Sequence, residues 1–169
     1  MNKPSIAAIA LGSNLGDSAA ILAAAIAQLE QPPNITLHRR SHWYRTPAIT
    51  LPNSPPQPDY LNGCAIVHTC LTPIALLQIL LRIEAQLGRV RHTPWAARTL
   101  DLDLLLFDDV TWHSADLQIP HPRLTERAFV LVPLAEIAPT WIEPLSQKSI
   151  ANLVQAVDCS DIKKLVIDR

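Results

Sequence analysis

The chain has 169 residues, of which 49% are hydrophobic and 17% charged, and its formal charge is -1. That size and balance describe one soluble globular domain spanning residues 1–169 and exclude a disordered chain. Near-neutrality excludes a general nucleic-acid binder, which needs a net basic face. No stretch approaches the roughly 20 apolar residues of a membrane span.

Ile6 to Leu11 reads as a short buried strand, ended by Gly12-Ser13-Asn14-Leu15-Gly16-Asp17. Lys3 with this apolar run is only faintly like a signal peptide, and a convincing cleavage site is missing. Asp17 or Ser18 caps an alanine-rich helix to about Leu29, which Pro32-Pro33-Asn34 stops. Ile35 to Trp43 alternates as a strand, with Ile35, Leu37 and Arg39 on one face. Tyr44 to Tyr60 is expected to be loop, since Pro47, Pro52, Pro55, Pro56 and Pro58 forbid regular pairing. A loop of that length in a compact domain is commonly a lid or binding loop.

Leu61 to Cys70 returns as a strand, with Cys64, Ile66 and His68 on one face and Ala65, Val67 and Thr69 on the other. Thr72 caps a helix with Pro73 in its first turn and Gly88 past its end. Its stripe of Ile74, Leu77, Leu80, Leu81, Ile83 and Leu87 is that of a helix lying on a sheet. A second loop, Arg89 to Thr99, leads into an acid-bearing strand within the run Arg98 to Phe107. Strand, helix, strand, strand, helix, strand is the order of a ferredoxin-like βαββαβ core: an α+β fold with an antiparallel sheet and additional C-terminal helices. Those helices are expected over Thr125 to Ile137, kinked or broken at Pro133, and over Ser149 to Val157. Cys64, Cys70 and Cys159 are an odd count with no Cys-x-x-Cys, which points to reduced thiols in a cytoplasmic protein.

Asp101-Leu102-Asp103 is the most informative segment, because a buried strand would reject two acids at its start. Residues i and i+2 share a face, so both carboxylates point the same way, about 6.6 Å apart along the strand. Such a pair is tolerable when cations neutralise it, and Mg²⁺ with phosphate and water as further ligands is the usual solution. The plainer alternative is a strand end whose acids are solvated or paired with Arg98. The preceding loop favours phosphate chemistry, since Arg89, Arg91 and Arg98 lie there with Trp95. Lysine occurs only at Lys3, Lys148, Lys163 and Lys164, and the arginine bias fits bidentate contact with a small anion. Two further groups stand out: Tyr44-Arg45-Thr46-Pro47 with Asp59-Tyr60-Leu61-Asn62, and Ile119-Pro120-His121-Pro122-Arg123 running on to Arg127 and Phe129. Asn62 can donate and accept at a heterocycle edge, and Arg127 near a helix start favours anions. The Gly12 to Asp17 segment lacks the ending of a P-loop, and no serine elbow or His-Glu-x-x-His exists. An RNA-binding module on this fold would need exposed sheet aromatics and a basic face, whereas a metal-dependent phosphohydrolase would share the same acids and arginines.

Taken in order, these segments resemble the 6-hydroxymethyl-7,8-dihydropterin pyrophosphokinase family. The similarity runs from Ala10-Leu11-Gly12-Ser13-Asn14-Leu15-Gly16-Asp17 through the Tyr44 and Asp59 segments, Arg82-Ile83-Glu84, Gly88-Arg89-Val90-Arg91 and Arg98 to Asp103. It ends with Ile119 to Arg123, Glu126-Arg127-Ala128-Phe129 and Pro133-Leu134, leaving the last thirty residues unmatched. The resemblance implies an ATP-dependent diphosphotransferase of tetrahydrofolate biosynthesis that converts the pterin alcohol and ATP into pterin diphosphate and AMP. It implies that Asp101 and Asp103 hold two Mg²⁺ ions and that Arg89 and Arg98 act catalytically. Glu84, Arg91, Trp95, Arg98, Leu102, His121 and Arg127 would bind ATP. Thr46, Pro47, Tyr60, Asn62, Trp95 and Phe129 would bind the pterin. A monomer with small-molecule substrates and no nucleic-acid or membrane partner is expected. Trp95-Ala96-Ala97-Arg98 departs from the family's usual Trp-Gly-Pro-Arg, and a basic residue common near Pro94 is missing; both bear on how freely this loop closes.

Overall fold

The first strand, Ser5–Ser13 (β1), is apolar at successive residues rather than alternate ones because both faces of its sheet are covered. Ala7, Ile9 and Leu11 join one core, while Ala8 and Ala10 join the other. The structure is a computed structural model that describes residues 3–90 and 94–166. After β1 come helix α1 (Ser18–Leu29), β2 (Ile35–Arg40), β3 (Tyr44–Thr46), β4 (Tyr60–Thr69) and α2 (Pro73–Gln86). Then follow β5 (Asp101–Phe107), a small hairpin of β6 (Trp112–His113) and β7 (Gln118–Ile119), α3 (Ala128–Ile137), α4 (Ile150–Val154) and β8 (Lys163–Lys164). Strand order is β5-β1-β4-β3-β8, with β2 sharing the edge of β4 that β3 also uses. Every pairing is antiparallel. With β2 and β3 counted as one interrupted strand, this is the expected ferredoxin-like core.

Local chemistry sets the helix ends. The Asp17 carboxylate accepts from the Ala20 amide at 3.0 Å, and the Thr72 hydroxyl from the Ala75 amide at 3.2 Å. Gly88 turns the chain out of α2 at φ +84°, a conformation that glycine adopts without strain. Leu22, Leu29, Leu76, Leu80 and Ile83 from α1 and α2 cover one face of the sheet. Val130, Leu131, Leu134, Ile137, Ile150 and Leu153 from α3 and α4 cover the other.

Four expectations need correction. The proline-rich segment does not begin as loop: Tyr44–Thr46 pairs with Asn62, Leu61 and Tyr60 before the first proline intervenes. Arg39 does not share a face with Ile35 and Leu37, because the register slips between Leu37 and Arg39. A one-residue bulge exchanges faces, and the Arg39 guanidinium reaches the Ile137 carbonyl of α3 at 3.2 Å. The helix expected from Thr125 is interrupted at Arg127, whose backbone is extended (φ -99°, ψ 98°), and not at Pro133. Pro133 sits inside α3, where it lacks only the amide that would reach Phe129. The last helix is shorter than expected, Ile150–Val154, capped by the Ser149 hydroxyl.

Of the glycines, Gly63 is the one most closely approached by its neighbours. A methyl group on Gly63 would stand 2.6 Å from two ring carbons of Trp43, which is itself buried. Gly63→Ala should therefore destabilise the fold by about 2 kcal/mol, as overpacking does. Chemical denaturation of the purified variant measures it.

Candidate active site

Three neighbouring strands carry the centre of the site in a single row. Asn62 of β4 lies opposite Gly12 of β1, and Gly12 lies opposite Asp101 of β5. One step along, Cys64, Ala10 and Asp103 make a second row. The middle strand contributes only a glycine and an alanine, so nothing tall separates Asn62 from the acids. A Cβ on Gly12 would fall 2.8 Å from Asn62 Oδ1. Glycine inside a strand marks a close approach, and here it leaves a saddle between an amide and two carboxylates.

The acids are surrounded by guanidiniums. Arg89 Nη1 lies 2.6 Å from Asp101 Oδ1 and 2.5 Å from Glu84 Oε1, and Arg98 Nη1 lies 2.8 Å from Asp101 Oδ2. Glu84 Oε1 also accepts from the Leu102 amide at 2.8 Å, so this buried acid locks Arg89 and the start of β5 together. Asp103 is served less closely: Arg127 Nη1 stands at 3.6 Å and His121 Nε2 at 3.8 Å from its Oδ2. Burial, reinforced by the Asp101 charge, pushes the Asp103 carboxyl up to about 6. Burial and the Arg127 charge push His121 down to about 4, so its ring is neutral at pH 7. Its Nδ1 accepts the Arg123 amide at 3.1 Å, which leaves the proton on Nε2, facing Asp103. Burial pulls the Arg89 guanidinium down, but the Asp101 and Glu84 charges outweigh that and raise it.

Two cavities meet at these acids. The smaller, about 110 Å³, is lined by Gly12, Thr46, Pro47, Tyr60, Asn62, Trp95 and Phe129. The larger, about 540 Å³, lies along α2 and is lined by Ile74, Leu77, Leu81, Glu84, Leu102 and His121. Arg98, Asp101, Asp103 and Arg127 line both. In the smaller cavity Asn62 Nδ2 donates to Thr46 Oγ1 at 2.7 Å. Arg127 lies over the Phe129 ring, 5.7 Å from its centroid. Burial raises the Tyr60 hydroxyl pKa, keeping it neutral.

Every expected site residue except Arg91 thus borders one cavity or the other. Arg91 lies outside the described residues. Leu102 contributes its position at the wall while its side chain is buried in the core. The residue that sequence reasoning left without a role is Asn14, which is buried. Its Oδ1 accepts the Arg98 amide at 2.8 Å, and its Nδ2 donates to Gln57 Oε1 and to the Pro58 carbonyl. Gln57 Nε2 in turn donates to the Trp95 carbonyl at 2.6 Å, across a residue held at φ +65°. One amide therefore ties the arginine loop to the proline loop. The signal was available, since an asparagine between two glycines after a buried strand is a turn residue with side-chain bonds to spare. Arg123, from the segment singled out at Ile119 to Arg123, also borders the smaller cavity; Ile49 borders it too, and Asp116 the larger, with no motif to mark these two beforehand.

Paired acids at the seam of two clefts, ringed by arginines and carried on a ferredoxin-like sheet, are the equipment of a phosphoryl-transferring enzyme. The family of 7,8-dihydro-6-hydroxymethylpterin-pyrophosphokinase matches residues 8–139. A relative from Synechocystis sp., a 2-amino-4-hydroxy-6-hydroxymethyldihydropteridine pyrophosphokinase, is 47% identical over 92% of this chain and 78% of its own length. Counterparts of the same name from Methylorubrum extorquens and Bacillus subtilis are 40% and 43% identical, over 93% and 78% of this chain and 96% and 77% of their own lengths. The chain belongs to the 7,8-dihydro-6-hydroxymethylpterin-pyrophosphokinase family. Among solved structures, an HPPK-DHPS in complex with substrates shares the fold at TM-score 0.73 and 14% identity, over 92% of this chain and 43% of that one. Plasmodium falciparum HPPK-DHPS with pterin and p-hydroxybenzoate does so at 0.72 and 16%, over 92% and 44%. The chain spans less than half the length of those two proteins.

The raised Asp103 carboxyl has a measurable sign. The folded protein holds this proton more tightly than the unfolded chain, so the associated stability is complete below about pH 4. It is lost as pH rises through about 6. Asp103→Asn cannot ionise, so its advantage in melting temperature over the parent should grow between pH 4 and pH 7 when no metal or nucleotide is added. A constant difference across that range contradicts the assignment.

Proposed function

We propose that this chain transfers the β,γ-diphosphate of ATP, with Mg²⁺, to the primary alcohol of 6-hydroxymethyl-7,8-dihydropterin. The products are AMP and the pterin diphosphate used in tetrahydrofolate synthesis. The observation that carries this reading is the meeting of two unlike clefts at Asp101 and Asp103. The larger cleft takes ATP, with the base against Ile74, Leu77 and Leu81 and the polyphosphate toward Arg89, Arg98, His121 and Arg127. The smaller takes the pterin, with Asn62 and Thr46 at its ring edge, Pro47 beside them, Tyr60 and Phe129 at its faces, and Trp95 closing above.

Asp101 and Asp103 suit Mg²⁺: both offer oxygen donors from one face of a rigid strand, and burial together with the neighbouring Asp101 charge makes Asp103 reluctant to ionise, which a cation there would relieve. Two such ions held there would neutralise the polyphosphate and lower the pKa of the attacking alcohol. The protein's own part is positioning and charge. Arg89 and Arg98 both pair with Asp101. On loading, both guanidiniums exchange that carboxylate for oxygens of the transferring group, while Glu84 keeps Arg89 from swinging away. The neutral His121 donates a hydrogen bond from its Nε2–H to an anionic oxygen, Arg127 bridges the seam, and Arg91 adds a further polyphosphate contact. Trp95 and the proline loop exclude water as they close, the closure being coupled through Asn14 and Gln57. Attack is in line on the β-phosphorus and needs no protein nucleophile.

The enzyme acts as a monomer of one domain in the cytoplasm, on small molecules and without nucleic-acid or membrane partners. This rests on its near-neutral charge and unpaired cysteines. No helix among the described residues is long and apolar enough to cross a membrane.

Incubation with MgATP and the reduced pterin alcohol should yield AMP and pterin diphosphate on chromatography; ADP and free phosphate would instead identify a phosphohydrolase. Asp101→Ala and Asp103→Ala should each lower turnover by about a hundredfold or more while the folded signal in circular dichroism persists. Asn62→Ala should weaken pterin binding by about tenfold in calorimetry and leave ATP affinity unchanged, as loss of a paired polar contact does.

A further inference from the structure

Glu136, in the last turn of α3, gathers three separate parts of the chain at the far side of the pterin cleft. Its Oε2 accepts the Tyr44 hydroxyl of β3 at 2.6 Å, and its Oε1 meets His42 Nδ1. The His42 amide also donates to it, at 3.2 Å to Oε2. Lys164 Nζ of β8 stands 3.7 Å from Oε1. Burial opposes the charge on Glu136, but the bonds from Tyr44 and His42 outweigh it and hold the carboxyl below its usual range. The strand that brings Lys164 pairs Lys164 with Tyr44 and Lys163 with Arg45, and the Leu165 amide donates to the Trp43 carbonyl at 2.8 Å. That strand lies beyond residues 8–139, where the family match ends.

We infer that Glu136 is a positioning residue for the pterin cleft, holding its two walls at a fixed separation through Tyr44. This inference rests on the assignment of the smaller cleft to pterin. Tyr44 lies directly opposite Asn62, and Thr46, two residues further along β3, accepts the Asn62 amide. Tyr44, Thr46, Asn62 and Tyr60 therefore share one face of the sheet, and Thr46, Asn62 and Tyr60 form its side of the cleft with Tyr44 behind them. Phe129 forms the opposite side from the first turn of α3. Glu136 is two helical turns along from Phe129, about 10 Å, and on the same helical stripe. The bond from Glu136 to Tyr44 is thus a crossbar between the helix that carries one wall and the strand that carries the other. The β8 strand backs β3 from outside, so Tyr44 is gripped from both directions. The larger cleft is lined mainly from α2, the loop after it and β5, and neither Tyr44 nor Glu136 is among its lining residues.

Calorimetry and steady-state kinetics on the full chain test it. Glu136→Ala and Tyr44→Phe should each weaken pterin affinity by about tenfold, the scale of one hydrogen bond to a charged group. ATP affinity, and turnover at saturating pterin, should stay within about twofold of the parent. The double variant should be no worse than Glu136→Ala alone, because both changes remove the same bond. Glu136→Gln keeps an oxygen to accept the tyrosine hydroxyl and should recover most of the affinity. Unchanged pterin affinity in both single variants, or equal losses for pterin and ATP, overturns the inference. If the parent protein itself fails to bind pterin, the assignment of the cleft is what falls.

Discussion

Like-charge repulsion between Asp101 and Asp103 is the constraint around which the molecule is arranged. The two-residue period of β5 aims both carboxylates the same way, and antiparallel pairing puts Gly12 and Ala10 beside them with nothing to offer in compensation. The compensation comes from outside the sheet: Arg89 from the end of α2, Arg98 from the loop after it, and Arg127 from the break before α3. Each of these elements ends where it does so that a guanidinium can reach. Gly88 turns the chain out of α2 toward Arg89 and Asp101, and the extended backbone at Arg127 interrupts a helix that would otherwise have carried that side chain elsewhere. Among the described residues the balance is unequal, with two arginines close on Asp101 and only distant partners for Asp103, which is left the less compensated acid.

The sheet then acts as a divide. Its α2 side and open end supply a long cleft with an apolar floor, and its α3 side supplies a narrow slot. A ligand in each meets the other only at the acids. One buried asparagine binds both the arginine loop and the proline loop, so the residues that border the two clefts are tied to each other.

Much of this was legible in the residues. Caps at Asp17 and Thr72, the proline after Thr72 and the glycine at 88 are local chemistry, and the helices they bound fell where that chemistry says. The acid pair was visible because a carboxylate in an apolar run is locally inconsistent, and such inconsistencies gather at functional sites. The failures were non-local. Nothing in Ile35 to Arg40 announces a bulge, since that depends on how β4 presents its partners, and the bulge alone decides where Arg39 points. The strand at Tyr44 is too short to show a period. Lys163–Lys164 has no strand character of its own and is ordered by the edge it joins. The roles of Asn14 and Gln57 rest on contacts between residues 38 to 84 apart, which no window of sequence contains.

The bulge in β2 has a consequence outside the chemistry. On one side β2 pairs with β4, and among the described residues no strand covers its other side. A bare, flat β-edge is an invitation to another copy of the chain, and through it to insoluble assemblies. Here the kink at His38 spoils the flatness, and the consecutive Arg39 and Arg40 place charge along the rim. The irregularity that defeats a simple alternation pattern thus also removes the flat, uncharged edge that pairing between copies would need.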